Sequence, residues 1–234
     1  MKVISRICTV FALVLFISCG SDDDGSPAVG GGDDDGSPTA SATYEVTFTP
    51  NFTADTHPTD YPSNAMFGPI LAIAHAPDVS VFRLGQAASA AFKGFAEDGD
   101  ADALATALTT GVDGMEVTTM IFSGGSTGPT SADALSVNVT PTNTRITFVA
   151  RLSPSPDWFV GVDSFNVVGS DGISLVDSEE FSLSALDAGT DSGPTYDSPN
   201  DPTTGGTIRV INDAPFGTGG LTSALGTVKF ERSN

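Results

Sequence analysis

The stretch Arg145-Ile146-Thr147-Phe148-Val149-Ala150-Arg151-Leu152 puts Ile146, Phe148, Ala150 and Leu152 on one face of an extended chain and Arg145, Thr147, Val149 and Arg151 on the other. Side chains alternate with period two in a strand, so an apolar row backed by a row carrying two arginines predicts a sheet packed on one side and wet on the other. Similar runs at 44–49, 68–75, 116–122, 158–168, 207–211 and 226–231, bounded by Gly, Pro, Asn and Asp, predict further strands. Two alanine-rich stretches, 87–96 and 102–109, read as short helices, the second with Asp102 as its cap. The spacing of strands and turns suits an all-β fold of two packed antiparallel sheets with one or two short helical crossovers, rather than a parallel α/β sheet.

The first residues follow other rules. Lys2 and Arg6 precede an apolar run from Ile7 to Ile17, the layout of a secretory signal peptide and shorter than the roughly 20 residues of a membrane span. The run ends in Leu15-Phe16-Ile17-Ser18-Cys19, which resembles the lipobox of bacterial lipoproteins. That resemblance implies a signal peptide over 1–19 and lipidation at Cys19; a plain signal peptide that contains a cysteine is the other reading. Cys8 lies in the segment to be removed, so a lipidated Cys19 leaves no thiol for an intrachain disulfide. Residues 20–42 carry DDDGSP twice, with six aspartates and no aromatic residue. Such a segment buries too little apolar surface to offset its ordering entropy and reads as a self-repelling tether. Its Ser21-Asp22-Asp23-Asp24 run also resembles the acidic signal that directs bacterial lipoproteins to the cell surface. An acidic linker with no address information explains it equally well.

Residues 43–234 then suffice for one domain with its own core. Nine lysines and arginines face 29 aspartates and glutamates, a formal net charge of −20. Such a surface repels phosphate backbones and anionic lipid, which excludes nucleic acid as a partner and leaves the lipid anchor as the membrane contact. It has carboxylates to spare for a hard cation such as calcium.

Several motifs compete for a site. Asp191-Ser192-Gly193 matches the triplet of aspartic proteases, but that chemistry needs two such carboxylates sharing a proton, and the triplet occurs once. Gly124-Gly125-Ser126-Thr127-Gly128 fits G-x-S-x-G, but Pro129 follows at once where a nucleophile elbow needs a helix. His57 and His75, without a cysteine or third histidine, read as hydrogen-bonding structural residues rather than a zinc pair. The remaining constellation joins Asp157, at a loop rim after Pro154 and Pro156, with Asp187 and Asp191, four residues apart in a turn containing Gly189 and Gly193. Calcium takes six to eight oxygens from such groups; Asx-turns use the same residues. Spacing alone leaves both open.

Ser155-Pro156-Asp157-Trp158-Phe159-Val160-Gly161-Val162-Asp163-Ser164 and Asp187-Ala188-Gly189-Thr190-Asp191-Ser192-Gly193 closely resemble the two signature segments of the spondin N-terminal domain family, with supporting similarity at 57–75 and in the helix ending at Glu97. The resemblance implies an antiparallel β-sandwich similar to calcium-dependent phospholipid-binding domains, with calcium held by loops at one end. Carried over, the implied ligands are Asp157, Asp187 and Asp191. A further acidic ligand of animal members falls near Asn138, which supplies an amide oxygen at most. Asp163, six residues down the strand, is expected to be a hydrogen-bonding structural residue. The cysteine and tryptophan that animal members carry past the signature strand are missing here, so the segment VVGSDGISLVDSEE is a different surface.

Animal members belong to extracellular-matrix proteins that bind cells, glycans or receptors and are not enzymes. The resulting expectation is a lipid-anchored cell-surface protein of the bacterial outer membrane, binding calcium and an extracellular glycan or protein in an adhesion role. A secreted hydrolase using the same carboxylates, or a purely structural envelope protein, are the alternatives.

Overall fold

The structure is a computed structural model describing residues 40–110, 117–123, 126–218 and 221–233. Two antiparallel sheets face each other. One has the order β4-β1-β12-β7, formed by Asp133–Val139, Ala42–Pro50, Gly226–Ser233 and Ser178–Leu183. The other has the order β3-β2-β5-β6-β8-β9, formed by Val117–Ser123, Met66–His75, Arg145–Ser153, Trp158–Asn166, Leu186–Asp187 and Arg209–Val210. A short hairpin of β10 (Gly217–Thr218) and β11 (Leu221–Thr222) stands apart in pairing. Among the described residues every strand pair is antiparallel, in line with the alternation of the sequence.

The inward faces interdigitate between the sheets. Phe48 of β1 meets Phe67 of β2 edge-on at 5.0 Å and Phe148 of β5 at 5.3 Å, and all three are buried. In β5 the apolar row Ile146, Phe148, Ala150 and Leu152 belongs to this core, as its period predicted.

The other row of β5 is where expectation and structure part. Thr147 and Val149 are fully buried rather than wet. Helices α1 (Ala90–Asp98) and α2 (Ala101–Thr110) cover that face, building a second core in which Leu71, Ile73, Val149 and Phe159 pack against Phe92, Phe95, Leu104 and Leu108. Arg151 is the enabling residue. Its guanidinium donates to the carbonyls of Ala96 (2.9 Å) and Glu97 (2.6 Å), satisfying orphan acceptors at the C-terminus of α1. The Ser89 hydroxyl accepts from Phe92 N–H at 3.1 Å to start α1, and Gly99, at φ 72°, ends it. The cap of α2 is Asp100, whose carboxylate accepts from Ala103 N–H at 3.0 Å; Asp102, expected there, lies in the first turn instead.

Both histidines are buried and hydrogen-bonded. His57 meets the Thr56 hydroxyl at 2.9 Å, and His75 meets the Thr147 hydroxyl at 2.8 Å. Burial lowers the pKa of each below its usual value. Strands β4 and β7 were not foreseen. In β7 the run Ser-Glu-Glu-Phe-Ser-Leu is mostly polar because it is an edge strand with one exposed face, so its alternation is hard to see. Cys19, residues 20–39 of the expected tether, Gly124 and Gly125 lie outside the described residues, while Ala42, expected as the last residue of the tether, is the first of β1. Among the described residues no helix is long and apolar enough to cross a membrane.

Candidate metal centre

Strand β6 begins at Trp158, directly after Asp157, and Trp158 pairs with Asp187 of β8 while Phe159 pairs with Leu186. The backbone continues the register: Ala188 N–H donates to Asp157 carbonyl at 3.2 Å. Asp187 in turn faces Arg209 across β8 and β9. Strand pairing therefore gathers Asp157, Asp187 and, four residues on, Asp191 at one end of the sandwich.

Asp157 does not stand at an exposed rim. It is fully buried, and its Oδ2 accepts three hydrogen bonds, from Thr190 N–H (2.7 Å), Thr190 hydroxyl (3.1 Å) and Asp191 N–H (3.1 Å). Its Oδ1 is buried with no hydrogen-bond partner among the described residues. Desolvation pushes its pKa up from 3.8 to about 6, reinforced by the Asp187 charge and opposed by the Thr190 and Asp191 donors.

The other two carboxylates are nearly as buried and are occupied. Asp187 Oδ1 accepts from Gly189 N–H at 2.6 Å, and its Oδ2 pairs with Arg209 Nη2 at 2.5 Å. Asp191 Oδ1 accepts from Gly193 N–H at 2.7 Å and its Oδ2 from Asp201 N–H at 3.0 Å. Both are Asx-type turns, so the second reading of the spacing is also present in the fold. Among the described residues no three His, Cys, Asp or Glu side chains already stand as a metal-holding set. The donors nevertheless suit a hard cation: they are all oxygens, three are carboxylates, and Asp157 Oδ1 is a buried charge acceptor with nothing to accept from.

Gly189 is required by close approach. At φ 72° it packs backbone on backbone, and a Cβ there would lie 2.6 Å from Thr207 N and O. Beside the carboxylates runs a groove of about 520 Å³, bordered by Trp158, Asp187, Asp191, Arg209 and Asp213.

Asn138 is not brought to this cluster. It lies in the other sheet, where its Oδ1 accepts from Thr43 hydroxyl at 2.8 Å, one residue from the end of β4. The connection from β4 leads to Arg145, and Asp157 follows the far end of β5. Nine residues of strand separate the two ends by about 27 Å. Asp163 is the structural residue expected, accepting from Ser164 hydroxyl at 2.7 Å and pairing loosely with Arg83 at 3.6 Å. Ser126 is exposed, and its neighbour Thr127 bridges Phe67. Sequence reasoning missed Thr190, Asp201 and Arg209. Thr190 lay inside a quoted signature, whereas nothing local marks Arg209 as a partner of Asp187.

Comparison with known proteins converges on the same stretch of chain. The family model described as Spondin_N matches residues 42–214. Spondin-2 of Homo sapiens is 36% identical over 177 residues, covering 73% of this chain and 52% of that protein. Spondin-2 of Rattus norvegicus is 35% identical over 166 residues, and Spondin-1 of the same species 31% over 170, covering 68% and 70% of this chain. The chain spans about half the length of the Spondin-2 proteins and 21% of that Spondin-1.

Proposed function

The chain belongs to the Spondin_N family, and from that membership we propose that it is an extracellular binding module whose loop end is organised by calcium. The observation that carries the reading is Asp157 Oδ1, a buried carboxylate oxygen without a partner next to two more aspartates. Asp157, Asp187 and Asp191 would hold the ion. When bound, calcium supplies positive charge that offsets the desolvation of Asp157 and the repulsion among the three carboxylates. The protein's own part is positional. Thr190 and the Asp191 amide fix one oxygen of Asp157 and leave the other open, and the Asx-type turns orient Asp187 and Asp191. Thermal melting with calcium and then with a chelator tests it: binding raises the melting temperature by several degrees, and identical curves would refute the calcium site.

The ligand class that fits is an extracellular glycan or protein, met by the loops around the groove beside Trp158 and Arg209. Lipid anchoring through Cys19 at the bacterial outer membrane completes the proposal, supported by the lipobox resemblance at 15–19. Radiolabelled palmitate incorporation into wild type but not Cys19→Ser tests the anchor.

A further inference from the structure

We infer that Arg209 competes with the cation for Asp187, so that the Arg209–Asp187 ion pair and calcium binding exclude each other. The inference rests on the calcium reading above and concerns how that site is regulated from within. Asp187 and Arg209 are direct cross-strand partners in β8 and β9, so the pair is set by register rather than by a chance encounter of side chains. The guanidinium Nη2 stands 2.5 Å from Asp187 Oδ2, with the arginine side chain 60% exposed and the aspartate side chain 8% exposed. The other oxygen of Asp187 is held by Gly189 N–H. Oδ1 thus carries a neutral donor, whereas Oδ2 carries a full positive charge on the carboxylate that the cation would use.

Arg209 is also the one cationic side chain among the described residues bordering the groove, where Asp187, Asp191 and Asp213 are the acids. It compensates Asp187 but leaves Asp157 Oδ1 unpartnered, although a guanidinium has five N–H donors to offer. A divalent ion held by the three carboxylates would give Asp157 Oδ1 its missing partner and take over the compensation of Asp187 as well. Like charge also repels the arginine from the ion. The exposed side chain has solvent to move into, and on release its guanidinium lies free at the groove.

Isothermal titration of the full chain with calcium chloride, in wild type, Arg209→Met, Arg209→Gln and Asp157→Asn, tests the inference. Removal of the guanidinium in Arg209→Met is expected to tighten calcium binding about fivefold, the worth of a partly exposed ion pair, and to lower the melting temperature of the calcium-free protein. Arg209→Gln, which is neutral but retains a polar head, is expected to behave likewise. Equal affinity in wild type and both arginine variants, or weaker binding in the variants, would overturn the competition while leaving the calcium site standing. Absence of both heat and any rise in melting temperature in wild type and both variants at millimolar calcium would instead remove the calcium site, and the competition with it. Binding that persists undiminished in Asp157→Asn would place the ion elsewhere and overturn the inference too.

Discussion

Asp157 makes the fold pH-sensitive in a direction opposite to most carboxylates. Its folded pKa is raised, from 3.8 to about 6, by burial first and by Asp187 in second place against the Thr190 and Asp191 donors. A raised carboxylate contributes stability that is complete below 3.8 and is lost as pH climbs through about 6. The full displacement corresponds to about 3 kcal/mol, of which about 2 kcal/mol falls between pH 4 and 7. Other groups titrate in that window with the opposite sign. His57 and His75, buried with lowered pKa values, lose stability as pH falls, so the bare curve of the wild type mixes the effects. Asp157→Asn isolates the term, because its amide oxygen can accept from Thr190 and Asp191 while carrying no charge. Urea denaturation in chelator at several pH values gives unfolding free energies for both proteins. The wild type should gain about 2 kcal/mol relative to the variant on going from pH 7 to pH 4. A difference that stays flat across that range would refute the reasoning, since it would mean that the buried oxygen is ionised without cost.

Gly189→Ala should destabilise the domain by about 2 kcal/mol or more, because the added Cβ meets the Thr207 backbone at 2.6 Å in a left-handed conformation; denaturant midpoints check it. Arg151→Met should cost about 2 kcal/mol by leaving the Ala96 and Glu97 carbonyls without their donor, and hydrogen exchange should report fraying at the end of α1. Asp187→Asn and Asp191→Asn should each abolish the melting-temperature gain from calcium while leaving a folded β protein by circular dichroism. If either keeps the full gain, its carboxylate is not a ligand.

What was legible in the sequence was what is local. Period two in 145–152 gave the inner face of β5, and two short signatures named three aspartates that strand pairing does bring to one end. The outer face of β5 was misread because Thr147 and Arg151 look like water-facing residues until their partners are known. Those partners are His75, 72 positions away, and the carbonyls of α1, 54 and 55 positions away. Asn138 was carried into the site from the resemblance to animal family members alone, which cannot detect that in this chain a whole strand and a change of sheet intervene. Arg209 had no local signal at all, since its meaning comes from the register of two-residue strands.

The division of labour between the two oxygens of Asp157 sets how much a cation can matter to the fold. Oδ2 already ties the turn before β6 to residues 190 and 191 through three donors, with no ion needed. Hydrogen bonds to a charged acceptor contribute about 1.5 to 3 kcal/mol each, net of the water contacts they replace. The two segments are therefore joined without any ion, and under the proposed calcium reading chelation should lower the melting point without melting the domain. Oδ1 is the half that stands open, and Arg209 at Asp187 keeps the cluster from carrying its full negative charge meanwhile. On the proposed calcium reading, such a site would lose its ion and still present a formed groove, with Arg209 docked on Asp187 in one state and released in the other. Cation occupancy then changes the charge lining that groove more than its shape.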